Sequence, residues 1–94
     1  MRRCARKFYI YLRFYIYMNK VHVLISGQVQ GVGFRYWAKR KMEELGISGW
    51  VENTDDGRVE AEFTGEEGPV KQMIELCREG PMLARVKKVT IIKE

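Results

Sequence analysis

The chain of 94 residues is 46% hydrophobic and has only two prolines, which fits one folded domain and excludes disordered and collagen-like chains. The formal charge of the chain is +5, but residues 1–20 alone contain six Lys or Arg and no Asp or Glu. The other 74 residues carry eleven basic and twelve acidic side chains and are nearly neutral. This near neutrality argues against a charge-driven nucleic-acid binder, and one histidine with two distant cysteines argues against a zinc site, a disulfide framework and a His-dependent nucleophile.

Residues 1–18 form a basic and aromatic N-terminal extension. Its apolar run over residues 8–17 is interrupted by Arg13 and is too short to span a membrane, which takes about 20 residues. Even-numbered apolar residues alternate there with tyrosines, and this period of two predicts an extra strand. Such a strand would cover a sheet edge or mediate self-association with a second copy. The alternative, that Met18 is the true start of the protein, stays open.

The remaining residues, 19–94, read as one domain of alternating strand and helix patterns bounded by glycine and proline. The predicted elements in chain order are a strand at 21–26, a helix at 34–45, strands at 47–54 and 58–64 around a hairpin turn at 55–57, a helix opened by Gly68-Pro69 and stopped by Gly80-Pro81, and a strand at 85–93. This βαββαβ order predicts an α+β, ferredoxin-like sandwich, in which an antiparallel sheet carries two helices on one face.

The same periodicities assign side chains to faces. The second helix should bury a stripe of apolar residues, namely Val70, Met73, Ile74 and Cys77. Simple alternation in the last strand puts Val86 on the face opposite Val89. We expect Trp37 and Trp50 to fill the core. We expect His22 to be an ordinary surface residue, and the acidic residues of the hairpin strands to form a solvated face.

The loop at residues 27–35, Gly-Gln-Val-Gln-Gly-Val-Gly-Phe-Arg, is the clearest chemical signal. Three glycines in seven residues let the backbone turn tightly, and the loop leads into a helix N-terminus, where free N–H groups and the helix dipole favour an anion. No Ser, Thr, Asp or Asn at 31–33 can cap this helix, and Arg35 lies in its first turn, where a cation is disfavoured by about 0.3–1 kcal/mol. A bound oxyanion would accept hydrogen bonds from the free N–H groups and would pair with the Arg35 guanidinium. A glycine-rich turn with a solvated arginine is the open alternative.

Asn53 is the second candidate. It has the strand parity of Val51, so its side chain should share a face with an apolar neighbour, although asparagine is depleted in strands and offers both a donor and an acceptor. The alternative is an asparagine that starts the turn before Asp55.

Two motifs resemble the acylphosphatase family. Residues 27–35 are similar to its first signature, and residues 49–59 (Gly-Trp-Val-Glu-Asn-Thr-Asp-Asp-Gly-Arg-Val), followed by Gly65, are similar to its second. The similarity extends over residues 19–94. It departs from the family pattern at Glu52, where a basic or neutral residue is usual, and in the N-terminal extension.

The resemblance implies hydrolysis of the carboxyl-phosphate bond of acyl phosphates to carboxylate and phosphate, with no metal and no cofactor. It implies that Arg35 binds phosphate and that Asn53 positions the attacking water. The implied phosphate-binding set is Gln28, Val29, Gln30, Gly31, Val32, Gly33, Phe34 and Arg35.

The expected partners are therefore a small acyl phosphate and inorganic phosphate, with no nucleic acid and no membrane. Two cysteines that form no disulfide framework indicate a reduced, cytoplasmic protein. One competing class is an RNA-recognition module of the same element order, but the predicted third strand has one aromatic residue and two acids. The other is a catalytically silent anion sensor.

Overall fold

The computed structural model describes residues 18–93. The predicted extra strand and self-association of the N-terminal extension lie outside the described residues. The elements are β1 (Met18–Gln28), α1 (Phe34–Leu45), β2 (Ser48–Asn53), β3 (Val59–Glu66), α2 (Glu67–Glu79) and β4 (Arg85–Lys93). The strands form one sheet in the order β2-β3-β1-β4, and every neighbouring pair is antiparallel. The predicted βαββαβ, ferredoxin-like fold is confirmed.

The core lies between the sheet and the two helices. Alternate residues of β1 and β3 are buried there against both helices, and they are Val21, Val23, Ile25, Val59, Ala61 and Phe63. Because side chains of a strand alternate between faces, one buried set per strand is what the sequence pattern predicts. The predicted stripe of α2 is also confirmed, since Val70, Met73, Ile74 and Cys77 are all buried. Phe34, the first residue of α1, is 2% exposed and fixes the start of that helix to the core.

The second helix begins earlier than predicted. It starts at Glu67, so Pro69 occupies the third helical position and not the first. The first turn of a helix tolerates proline because the N–H groups of that turn have no intrahelical acceptor. The glycine and proline at positions 80 and 81 end α2 as predicted.

The predicted faces of β4 are wrong, because this strand contains a β-bulge. Ser26 pairs with Lys88 whereas Gly27 pairs with Val86, so Lys87 is an extra residue without a partner on β1. An extra residue reverses the alternation beyond it. Val86 and Val89 therefore both pack against the core instead of lying on opposite faces.

The outer face of the sheet, away from the helices, corrects two further predictions. Trp50 is on this face and not in the core, and its Nε1 donates to Glu62 Oε1 at 3.2 Å. His22 lies on the same face, but its side chain is only 23% exposed. Its Nε2 is 2.6 Å from Glu60 Oε2, and its ring meets the Trp50 ring edge-on at 5.3 Å. Trp37, in contrast, packs against the core as predicted.

Candidate anion-binding site

Among the described residues, no side chain caps the N-terminus of α1. Gly33 is the N-cap residue in the left-handed conformation, with φ of 81°, and the first turn contains no acidic residue. The first bond of the helix runs from the Trp37 N–H to the Gly33 carbonyl at 3.0 Å. The N–H groups of residues 34–36 therefore have no acceptor within the helix, and they lie at the positive end of its dipole.

The loop before α1 presents its backbone in the same way. Gly31 has φ of 73°, a conformation that glycine adopts without the steric cost of a Cβ atom. Within the described range, 18–93, the N–H groups of residues 29–33 donate to no protein acceptor. The loop is nevertheless anchored, because the Val29 side chain is 1% exposed and belongs to the core. The result is a run of backbone N–H groups without a protein acceptor in a loop that is anchored to the core.

Arg35 is the cation at this helix end. It occupies the second helical position and is exposed. Among the residues that the structure describes, no carboxylate forms a salt bridge with it. A guanidinium in this position lacks an internal counter-charge and supplies a planar fork of donors that matches two oxygens of a phosphoryl group.

The Gln30 side chain connects this loop to the β2–β3 hairpin. Its Nε2 donates to the carbonyl oxygens of Thr54 and Arg58, both at 2.8 Å. The sequence reasoning counted Gln30 only as a backbone donor and missed this role of its side chain. The available signal was the presence of two long polar side chains, Gln28 and Gln30, in a loop that otherwise contains glycines and valines.

The hairpin itself is held by a compact set of polar contacts. Thr54 and Arg58 pair through the Thr54 N–H at 2.8 Å and the Arg58 N–H, which donates to Thr54 Oγ1 at 3.0 Å. Arg58 Nη2 donates to Asp56 Oδ2 at 2.6 Å. The hydrogen bonds from Arg58 and, second, from Thr54 hold the pKa of Asp56 well below its usual range, and the same contact raises the pKa of Arg58. Both side chains are therefore charged at neutral pH.

Asn53 is the last residue of β2 and is exposed. It pairs with Val59, which in turn pairs with Ile25 near the end of β1. It thus lies on the helix-facing side with Val51, as its parity predicted, and Thr54 takes the turn position. Because β1 ends at Gln28, the fold places residues 28–35 (the candidate anion loop, which includes Arg35) and Asn53 at one end of the sheet.

Other features lie elsewhere or have no counterpart here. A surface cavity of about 440 Å³ is lined by residues 45–48, 64–66 and Pro69, at the opposite end of the sheet. In residues 18–93, no group of three His, Cys, Asp or Glu side chains is placed to hold a metal ion. Neither described helix has the length and apolar character needed to cross a membrane.

Comparison with known proteins gives a consistent result. A family model described as Acylphosphatase matches residues 21–94. A protein named acylphosphatase from Roseiflexus is 51% identical over 74 residues, which cover 79% of this chain and 80% of the relative. Another, from Methylococcus capsulatus, is 52% identical over 69 residues, or 73% of this chain and 75% of the relative.

Two solved structures are also similar. An acylphosphatase from Coxiella burnetii superposes with a TM-score of 0.81 at 37% identity and covers 86% of this chain and 87% of that one. The crystal structure of acylphosphatase from Bacillus subtilis gives a TM-score of 0.75 at 32% identity, over 79% of this chain and 81% of that one.

Proposed function

Because the chain belongs to the acylphosphatase family and hydrolyses acyl phosphates, we propose that it does so without a metal ion, at the loop of residues 28–35 and Asn53. The observation that carries this proposal is the N-terminus of α1, where backbone N–H groups without an acceptor among the described residues share the first helical turn with Arg35. Those groups bind the phosphoryl oxygens of the substrate.

Binding and rate enhancement come from the same donors. Negative charge spreads over the phosphoryl oxygens during the transfer, so N–H groups already fixed by the fold stabilise the transition state without reorganising. Removing one such donor from an enzyme costs about 2.7–4 kcal/mol of transition-state stabilisation. Val29 and Phe34, buried at both ends of the loop, hold the donors in place.

Asn53 supplies the position of the nucleophile. Its carboxamide does not act as a base at neutral pH, but its oxygen accepts a hydrogen bond from water and aligns that water with the phosphorus atom. The water oxygen forms the new P–O bond, and the bond between phosphorus and the carboxyl oxygen breaks. The carboxylate leaves with the electron pair, and the water proton passes to a phosphoryl oxygen.

The proposed absence of a metal follows from the chemistry of the bond and of the donors. A carboxylate is a good leaving group, so its departure needs no general acid. The donors at the site are N–H groups and a guanidinium, which attract anions and repel cations. They do for the phosphoryl oxygens what a metal ion does in other phosphoryl-transfer enzymes.

Hydrolysis of acetyl phosphate in excess EDTA tests this proposal. We expect full turnover in the chelator. Loss of turnover that added Mg²⁺ restores would overturn the metal-free mechanism. Phosphate binding without turnover would identify an anion sensor instead, and salt-sensitive RNA binding alone would identify an RNA-recognition module. We do not expect RNA binding, because Glu52, Glu60 and Glu62 on the outer face of the sheet would repel a phosphate backbone.

Substitution of the two side chains tests their separate roles. Arg35→Ala should abolish both inhibition by inorganic phosphate and turnover, whereas Asn53→Ala should lower kcat and leave phosphate inhibition nearly unchanged. The matched controls are Arg78→Ala, an exposed arginine of α2, and Asn19→Ala, an exposed asparagine at the far end of β1. An unchanged kcat in Asn53→Ala would remove that residue from the mechanism.

The proposed location is the cytoplasm. Cys77 is a free, buried thiol, and proteins of reducing compartments keep such thiols unpaired. Cell fractionation with an antibody to the native protein checks this, and recovery from a secreted or periplasmic fraction would contradict it.

A further inference from the structure

The turn between α2 and β4 exposes two large apolar side chains. A hydrogen bond from the Ala84 N–H to the Pro81 carbonyl, at 3.0 Å, closes the turn around Met82 and Leu83. These residues are 96% and 73% exposed, so they contribute little to the core. Turn positions of this kind favour glycine, proline and small polar residues. Within residues 18–93, no packing contact accounts for two long apolar side chains here.

The turn lies beside the loop of residues 28–35, and this position suggests a role for its two exposed apolar side chains. Gly80, at its start, lies against Phe34, and a Cβ atom built on it would be 3.0 Å from Phe34 Cε2. Arg85, just after the turn, pairs with Gln28. Gln28 and Phe34 lie at or near the two ends of the anion loop, residues 28–35. The turn that carries Met82 and Leu83 is therefore fixed at both ends to the borders of the phosphate-binding loop.

We propose that Met82 and Leu83 form the surface against which the acyl group of the substrate packs. The inference rests on the proposed function, because it requires the phosphoryl group to be held by residues 28–35. The rest of the substrate then extends from the loop toward its rim, and the described rim includes this apolar turn. Large apolar acyl groups lose water-exposed surface there, whereas an acetyl group is too small to use much of it. The substrate class that the site favours is an acyl phosphate with an aromatic or extended apolar acyl group.

The immediate neighbours of Met82 and Leu83 agree with an apolar acyl group. The residues on either side of Met82 and Leu83 in the turn are Pro81 and Ala84, which are uncharged and only partly exposed. The exposed Arg85, just after the turn, would respond to a charged acyl group, so a comparison of two uncharged acyl groups reports on the apolar area alone.

The test compares benzoyl phosphate with acetyl phosphate in full-length Met82→Ser, Leu83→Ser and the double variant. The measured quantity is the ratio of kcat/KM for the two substrates, which cancels any common effect on the phosphate site. We expect this ratio to fall about fourfold for each methylene group whose contact with the benzoyl ring is removed. Folding should be preserved because substitutions at such exposed positions rarely change stability by more than about 0.5 kcal/mol.

Ile92→Ser is the matched control. Ile92 is an apolar residue of β4 that is 53% exposed. Its neighbour Ile91 pairs with Val23, five residues along β1 from Gln28, which is about 16 Å at the rise of a strand. The control should keep the wild-type ratio.

An unchanged ratio in the double variant would overturn the inference. If kcat/KM then falls equally for both substrates, the turn only supports the loop. If the oligomeric state changes instead in size-exclusion chromatography, the turn is a contact between copies. If the wild-type chain does not hydrolyse acetyl phosphate at all, the proposed function fails before this inference is reached.

Discussion

Gln30 offers a direct test of how the anion loop and the Asn53 hairpin are kept in register. Its Nε2 bonds to the Thr54 and Arg58 carbonyls are the side-chain hydrogen bonds that join the two segments among the described residues. Gln30→Met keeps the length of the side chain and removes both bonds. If Gln30 positions Asn53 relative to the bound phosphoryl group, this change should impair chemistry more than binding.

The expected magnitude follows from what each carbonyl retains. The Thr54 carbonyl still accepts from the Gly57 N–H at 3.3 Å, and the Arg58 carbonyl still accepts from the Thr54 N–H at 2.8 Å. Because neither acceptor is left unsatisfied, only the net value of two hydrogen bonds is lost, about 1–3 kcal/mol of unfolding free energy. Displacement of a reacting group by about 1 Å can cost a hundredfold in rate, so kcat should fall at least tenfold.

Urea unfolding, kcat for acetyl phosphate and the inhibition constant of inorganic phosphate together decide the role of Gln30. We expect lower stability, lower kcat and an inhibition constant that changes less than about threefold. Gln72→Met, at an exposed glutamine of α2, is the matched control and should alter none of the three. If Gln30→Met loses stability while kcat stays within twofold of the control, the two bonds are structural and the positioning argument is refuted.

Four further predictions concern single side chains. Arg35→Lys should lower kcat/KM roughly tenfold or more, since an ammonium lacks the planar fork, and recovery of wild-type kinetics would contradict bidentate binding. Glu52 pairs directly with Glu60 across β2 and β3, so Glu52→Gln should raise the unfolding free energy by about 0.2–1 kcal/mol in urea titrations at low salt, and an effect of opposite sign would exclude like-charge repulsion. The lowered pKa of Asp56 stabilises the fold above the ordinary value of 3.8, and this stabilisation is lost as the pH falls from there toward the lowered value. Asp56→Asn should therefore flatten the acid limb of the stability profile, and an unchanged limb would show that other carboxylates dominate it. Burial raises the pKa of Cys77 to about 12, so iodoacetamide should modify it, as read by peptide mass mapping, only after unfolding.

The outer face of the sheet bears on the choice between an enzyme and a nucleic-acid module. His22 and Trp50 contact each other there and both contact glutamates. An RNA-recognition sheet needs exposed aromatic rings in a basic surrounding. Here the Trp50 ring packs edge-to-face against His22 and donates to Glu62, so the outer face is acidic rather than basic around its one tryptophan.

Local pattern was sufficient for much of this protein. The element order, the bounds of α1 and the buried stripe of α2 follow from periodicity and from the glycines that end each helix. The candidate site was also visible, because missing caps and Arg35 are properties of consecutive residues. The face of β2 on which Asn53 lies followed from its parity with Val51 alone.

Tertiary structure decided what depends on register and on partners distant in the chain. The extra residue Lys87 changes which side of β4 faces the core, and bulges arise from the fit between two strands rather than from the sequence of one. The prediction that Trp50 fills the core was wrong, because its neighbour Val51 faces the helices and Trp50 therefore lies on the outer face. There it donates to Glu62 and contacts the His22 ring. The second role of Gln30 exists only because β2 and β3 bring the Thr54 and Arg58 carbonyls within 2.8 Å of its side chain. Consecutive residues thus determined the anion loop, and long-range pairing determined how that loop is held against Asn53 and what surrounds it.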